Sequence, residues 1–284
     1  MQTCSTVPIR DVVVVSDTHA GCQMALCPPD HGIKLDGGGS YRLSRTQRVI
    51  WSWWNEFWDE WVPEQTQGRP FIVVHNGDAI DGVHHNSTTQ ITHNLAIQRR
   101  IAVQLLRPLV AKAHGRFYLI RGTEAHVGSS AAEEESMAEE LNTVPNADGN
   151  HARWELWLKI GGQQIHFLHH IGTTASSHHE ASAVNAELTA EFVEAARWGE
   201  QPPTVIVRSH RHRSIEVRLP TKNGYATAVV TPGWQAKTPF SYKIAGARLA
   251  PPQMGGIIIK LSDSGNLYTN TFVRHIQRSN EVVA

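Results

Sequence analysis

The chain has only three cysteines, Cys4, Cys22 and Cys27, in 284 residues. An odd, sparse set with no Cys-x-x-Cys pair argues against a disulfide framework and fits a reducing compartment. An excess of charge of either sign is also missing, because 26 Lys+Arg balance 26 Asp+Glu. Bulk charge therefore gives no sign of a strongly basic nucleic-acid-binding domain, although a local basic patch remains compatible with it. Charged residues make up 18% of the chain, below the roughly 25% of an average soluble domain. No apolar run approaches the ~18 residues of a membrane span. The opening MQTCSTVPIRDVVVV lacks a basic segment followed by an apolar one. The expectation is a cytoplasmic protein with no signal peptide and no membrane partner. What the chain does have in excess is histidine, with 17 copies.

The length is enough to bury a substantial core. Asp11 to Val15 is a short β-branched run that reads as a buried strand. Polar, glycine-rich sequence follows, and residues 20–45 are a candidate lid or insertion. Ser44 and Gln47 stand at capping-box spacing and predict a helix start. Trp51, Trp54, Trp58 and Trp61 then recur at three- and four-residue intervals, a stripe better suited to core packing than to base stacking, and Pro63 is expected to end the helix. Phe71–His75 and Arg116–Ile120 read as strands, with a long helix over Ser87–His114 between them that Pro108 should disturb. Ser130–Leu141 reads as a helix whose first turns carry Glu133, Glu134 and Glu135, where the helix dipole favours them. Gly161-Gly162 joins two strands in a hairpin. A helix over His179–Trp198 and five further strands complete the pattern. The first half is βαβ-like and the second mostly β, without repeats, so a single domain over residues 1–284 with two sheets is expected.

Polar groups cluster where predicted strands end. Val15 leads to Asp17-Thr18-His19, His75 to Gly77-Asp78-Ala79-Ile80-Asp81-Gly82, and Ile120 to Arg121-Gly122-Thr123-Glu124-Ala125-His126. Leu168 leads to His169-His170, and Val207 to Arg208-Ser209-His210-Arg211-His212. In α/β sheets ligands bind outside the carboxyl ends of strands, so these clusters can converge on one crevice. Imidazole and carboxylate together suit Zn, Fe, Mn and related ions. Two metals about 3.5–4 Å apart need a bridging group, which a carboxylate supplies. Taken singly each motif has a plainer explanation, such as a capped turn or a satisfied core histidine. Their order and common placement favour a hydrolytic metal centre.

As an ordered set, these motifs resemble the calcineurin-like metallophosphoesterase superfamily. Its signature runs D-x-H, G-D-x-x-D/G, G-N-H-D/E, a lone His, then G-H-x-H, and the match spans about residues 12 to 213. The resemblance implies an α/β fold, a two-sheet αββα sandwich. It implies a phosphoesterase in which a metal-bridging hydroxide attacks phosphorus, with two divalent metal ions from Mn, Zn, Fe or Ni, Mn favoured. One site would use Asp17, His19, Asp78 and His212. The other would use Asp78, Glu124, His169 or His170, and His210, with Asp78 as the bridge. His126 would protonate the leaving oxygen.

Two departures stand out. Gly122-Thr123-Glu124-Ala125-His126 replaces the usual block, removing its asparagine ligand and shifting the histidine, as in some phage-encoded members. Ser209 stands where the signature has glycine. Arg121 and Arg211, together with Arg208 and Arg213, could clamp phosphate oxygens, and His84 and His85 could line the substrate mouth. The partner implied is a phosphate ester, monoester or diester, with nucleic acid one possible source. The competing expectation is a non-catalytic metal- or phosphate-binding module derived from such an enzyme.

Overall fold

A computed structural model describes residues 8–29, 32–84, 86–128, 130–172, 177–243 and 250–276. The first strand, β1 (Asp11–Val15), is wholly buried. A two-stranded ribbon, β2 (Ile33–Lys34) and β3 (Ser40–Tyr41), precedes helix α1 (Arg45–Asn55). Ser44 caps α1, with both halves of the capping box formed by Gln47.

The helical path does not stop at Pro63. It continues through a π-helical turn, Glu56–Trp61, into α2 (Val62–Thr66). The Val62 N–H reaches back five residues to the Phe57 carbonyl. Pro63 then falls in the first turn of α2, where a missing N–H costs little. Gln67 in a left-handed conformation ends the run. Of the tryptophan stripe, Trp54 and Trp58 are buried with Phe57, and they pack against Trp234 and Phe272.

Strand β4 (Phe71–Asn76) follows, then α3 (Leu95–Lys112). This helix is shorter than Ser87–His114. Asn94 caps it by accepting from the Ala96 and Ile97 N–H groups, and the residues before Asn94 form turns. Pro108 lies inside α3 on its exposed side, and the helix runs on to Lys112.

The chain continues with β5 (Phe117–Ile120), the short α4 (Glu124–Val127), α5 (Ala132–Leu141), β6 (Ala152–Arg153), β7 (Glu155–Ile160) and β8 (Gln163–Leu168). Gly161 and Gly162 make the β7–β8 turn with φ of 55° and 83°, as a type I′ hairpin demands. Helix α6 (Glu180–Trp198) leads to β9 (Val205–Arg208), β10 (Ile215–Thr221), β11 (Gly224–Val230), β12 (Met254–Leu261) and β13 (Leu267–Arg274).

Two sheets result. One has the order β13-β12-β1-β4-β5-β6, the other β10-β11-β9-β8-β7. In the first, β1, β4, β5 and β6 run parallel, and in the second β8, β9 and β11 do. Val12, Val14, Val74, Ile257 and Ile259 of one sheet pack with Ile165, Phe167, Val205, Val207 and Val229 of the other. The outer face of the first sheet is covered by α1, α3 and α5, through Ile50, Ile101, Leu105 and Met137. The outer face of the second carries α6, through Val184 and Leu188 against Ile206 and Ala228. This is the αββα sandwich. Among the described residues no helix is long and apolar enough to cross a membrane.

Candidate metal centre

The carboxyl ends of β1, β4 and β5 in one sheet and β8 and β9 in the other meet at one end of the sandwich. Backbone hydrogen bonds join their loops. The Asp17 and His19 N–H groups donate to the Gly77 and Asp78 carbonyls at 2.9 and 3.1 Å. The Ser209 N–H donates to the His169 carbonyl at 2.8 Å, and the Trp234 N–H to the Asp17 carbonyl at 2.9 Å. Beneath them a chain of short polar contacts crosses between the sheets. Asn76 Nδ2 donates to Ser209 Oγ (2.7 Å), which meets Thr231 Oγ1 (2.7 Å), which meets Ser16 Oγ (2.7 Å).

These loops are bent tightly. Asp17, His19, Asp78, His210 and His212 all have positive φ, between 41° and 71°. Left-handed backbone at non-glycine residues costs of order 1–3 kcal/mol each and persists only where surroundings over-determine it. Gly77, with φ 90°, lets the β4 loop touch the β8 loop, because a Cβ there would lie 2.3 Å from His169 Nδ1.

The ligand atoms fall into overlapping groups. Asp17, His19 and His212 form one, Asp78, His169 and His210 another, and His19, Asp78 and His126 join them. His212 Nε2 lies 3.2 Å from Asp17 Oδ1 and 3.1 Å from His19 Nε2. His169 Nε2 lies 3.0 Å from Asp78 Oδ2, and its Nδ1 is 2.6 Å from the Asn76 carbonyl. His210 Nδ1 and His126 Nε2 are each 3.9 Å from Asp78 Oδ2.

Burial works against charge on Asp17 and Asp78. The His212 imidazole overrides it for Asp17, and the His169 and His126 imidazoles override it for Asp78, so both carboxyls sit below their ordinary range. Burial likewise opposes charge on His169, but Asp78 pushes its pKa up to about 10, and Asp17 raises that of His212. The carboxylates thus favour positive charge on the imidazoles beside them. Divalent cations offer that charge without protons, and metal binding releases them. Asp17 Oδ1 and His169 Nε2, both buried, lack a well-formed hydrogen bond. The imidazole and carboxylate donors suit divalent cations, and Asp78 belongs to the second group and, with His19, to the one that joins it to the first.

Asp81, at the end of the cluster that follows β4, has a part of its own. It is buried, and Gln90 and Gln235 donate to its two oxygens at 3.0 and 3.1 Å. Its Oδ1 lies 3.4 Å from His19 Nδ1 and 3.6 Å from His84 Nε2. A carboxylate behind one imidazole nitrogen fixes the tautomer and leaves the other nitrogen for a metal. The Asp81 backbone carbonyl takes the His126 Nδ1–H at 2.6 Å, which turns His126 Nε2 towards Asp78. Burial lowers the His126 pKa to about 4.

The other sequence candidates separate. Glu124 is exposed at the start of α4 and belongs to none of the ligand groups among the described residues. Thr123 stands nearer, donating to Asp78 Oδ1 through its N–H (2.8 Å) and hydroxyl (3.2 Å). His170 is exposed outside the ligand groups, with its ring 4.9 Å from that of His210. Arg121 is paired with Glu135 at 2.5 Å and donates to the Ala131 and Ala152 carbonyls, away from the cavity. Arg208 is buried and ion-paired with Glu187 and Glu191 of α6. Arg211 and Arg213 do line the cavity, and both are tied to Glu180. His84 lines it too, whereas His85 lies outside the described residues. Of the candidate lid, Ala20, Cys22, Ala25, Leu26 and Cys27 have 0% exposure and belong to the core.

Above the ligands is a cavity of about 490 Å³. Its lining includes Ala236, Phe240, Ala250 and Pro252, and Arg211, Arg213 and Lys237 add cationic groups.

No family model matches the chain, and no curated protein matches it. Solved structures do. A metallophosphoesterase from Sphaerobacter thermophilus is 12% identical, covering 95% of this chain and 89% of its own, with a TM-score of 0.38. Metallophosphoesterases are thus among its similar structures. A predicted phosphoesterase from Streptococcus pneumoniae is 11% identical over 93% of this chain and 98% of its own, with a TM-score of 0.34. Chaetomium thermophilum Vps29 is 10% identical over 96% of this chain and 100% of its own, with a TM-score of 0.38.

Proposed function

We propose that the chain is a dinuclear metal-dependent phosphoesterase. The observation that carries this reading is the pair of ligand groups, Asp17–His19–His212 and Asp78–His169–His210, linked by the group His19–Asp78–His126. Asp17, His19, Asp78 and His212 would hold one ion, and Asp78, His169 and His210 the other. Two divalent cations, when bound, supply a water of lowered pKa and neutralise charge on phosphoryl oxygens.

The chain's own residues supply the rest. Asp81 lies 3.4 Å from His19 Nδ1, which leaves His19 Nε2, 3.1 Å from His212 Nε2, as the atom that would hold a cation. Arg211 and Arg213 give the cavity the positive field a phosphate ester seeks. His126 is oriented through Nδ1 by the Asp81 carbonyl, so its Nε2 is the atom that would hand a proton to the leaving oxygen. In the free protein burial keeps this imidazole neutral at pH 7, and the negative charge of a bound ester is what favours its protonation.

A second reading, a binding module without turnover, is favoured by Thr123, which donates to Asp78 where the signature would place an asparagine ligand. The two separate in one experiment, combining metal analysis with hydrolysis of bis-(p-nitrophenyl) phosphate and p-nitrophenyl phosphate in added Mn²⁺. Two bound ions with turnover support the enzyme. Two bound ions with neither ester cleaved support the module.

A further inference from the structure

Three successive glutamates occupy the first turn of α5, and they have different fates. Glu133 pairs with Arg99, and Glu135 with Arg121. Glu134 turns inward and is 0% exposed. Its Oε2 accepts the Gly122 N–H at 2.8 Å, and its Oε1 accepts the Ala79 N–H at 3.4 Å. Ala79 follows Asp78 directly, and Gly122 precedes Thr123, whose N–H and hydroxyl both donate to Asp78.

The two loops are in contact at this point. A Cβ on Gly122 would lie 2.1 Å from Asp78 Oδ1 and 2.4 Å from the Asp78 nitrogen. One planar carboxylate thus bridges the loop that carries Asp78 and the loop that covers it. A buried carboxylate is costly unless its oxygens are satisfied, and here both face backbone donors.

We propose that Glu134 is a positioning residue for the metal centre, a clamp that fixes the direction of the shared Asp78 carboxylate through the Ala79 and Gly122 amides. This rests on the dinuclear reading of the site. Thr123 donates twice to Asp78 from the loop whose Gly122 amide Glu134 holds, so the carboxylate of Glu134 and the two donors of Thr123 act on the same side chain. The clamp also requires an acid specifically. Glutamine keeps one acceptor but sets an NH₂ against an amide N–H, so one arm is lost and replaced by donor facing donor.

The test compares wild type with Glu134→Gln in two measurements. Amide hydrogen exchange on the metal-free proteins reads the clamp directly. Titration with Mn²⁺ alone reads its effect on the site. The expected result is exchange at Ala79 and Gly122 at least about tenfold faster, and Mn²⁺ affinity about 10–100-fold weaker, as for other groups that orient metal ligands. Unchanged exchange at both amides overturns the clamp. Unchanged Mn²⁺ affinity, with two ions still bound, overturns the positioning role even if the variant melts earlier. If Glu134→Gln does not fold, Glu134→Asp is measured in the same way. Its shorter arm reaches one amide, so one amide should exchange faster and Mn²⁺ bind more weakly, and no change in either overturns the proposal. Wild-type protein that binds no Mn²⁺ overturns the dinuclear reading and this inference together.

Discussion

The two sheets bring different chemistry to the same place. The sheet holding β1, β4 and β5 supplies the three carboxylates of the ligand groups, Asp17, Asp78 and Asp81, along with His19, His84 and His126. The sheet holding β8 and β9 supplies imidazoles, His169, His210 and His212. The groups Asp17–His19–His212 and Asp78–His169–His210 each draw on both sheets, whereas His19–Asp78–His126 and Asp81–His84–His126 lie on the loops of the first. The centre forms only once the sandwich closes, and the Asn76–Ser209–Thr231–Ser16 chain marks that closure. Their supports differ as well. Beneath the acidic side sits Glu134, held by backbone amides alone. Beneath the imidazole side sits Arg208, neutralised by two glutamates of α6.

This contrast can be broken from either side. The largest effect should come from the acidic side. Asp78→Asn should weaken Mn²⁺ binding at both positions by more than about 100-fold, beyond the loss typical of groups that merely orient ligands, and turnover should vanish with it. Metal analysis on the purified variant checks this. His126→Ala should lower turnover by about 10²–10⁴-fold while both ions stay bound. Loss of an ion instead would make His126 a ligand. On the imidazole side, Arg208→Met should cost about 1–2 kcal/mol in urea unfolding, because its charge-assisted bonds to the partly exposed Glu187 and Glu191 are lost while Glu191 keeps His166.

A smaller effect should appear in pH dependence. Burial lowers the His75 pKa to about 4, against 6.5 for an ordinary histidine. The unfolded chain therefore takes up a proton first on acidification. This part of the stability is complete above pH 6.5 and is lost as pH falls towards 4, at no more than about 1.4 kcal/mol per pH unit. His75→Gln should remove that slope from the metal-free protein. Last, Glu124→Gln should leave Mn²⁺ stoichiometry unchanged and stability within about 0.5 kcal/mol, as for an exposed surface position. A lost ion would return Glu124 to the ligand set.

Much of this was legible in the sequence. Short β-branched runs ending in Asp, His and Gly announced both the strands and their polar ends, and β1, β4, β5, β8 and β9 each deliver such a cluster. The choice between His169 and His170 was not legible. Neighbouring residues leaving a strand face opposite ways, and only the packing of β8 on β4 buries the first. Glu134 was hidden because an acidic helix start has an adequate local explanation in the dipole. Pro63 misled for a related reason. Proline excludes ordinary α-helical hydrogen bonding, but a π-helical turn placed before it makes the position a new helix start. The start of α3 slipped from Ser87 to Leu95 because Asn94 and Ser87 are both plausible caps, and only contacts decide between them.

The buried Trp234 sits between two parts of the molecule that otherwise share little. Its backbone amide holds the carbonyl of Asp17, and its indole packs edge-on against Trp54. A shift of the Asp17 backbone is therefore passed to an aromatic group shielded from water. Cation uptake at the proposed site should register as a change in tryptophan emission on Mn²⁺ titration, over the signal of the chain's eight other tryptophans.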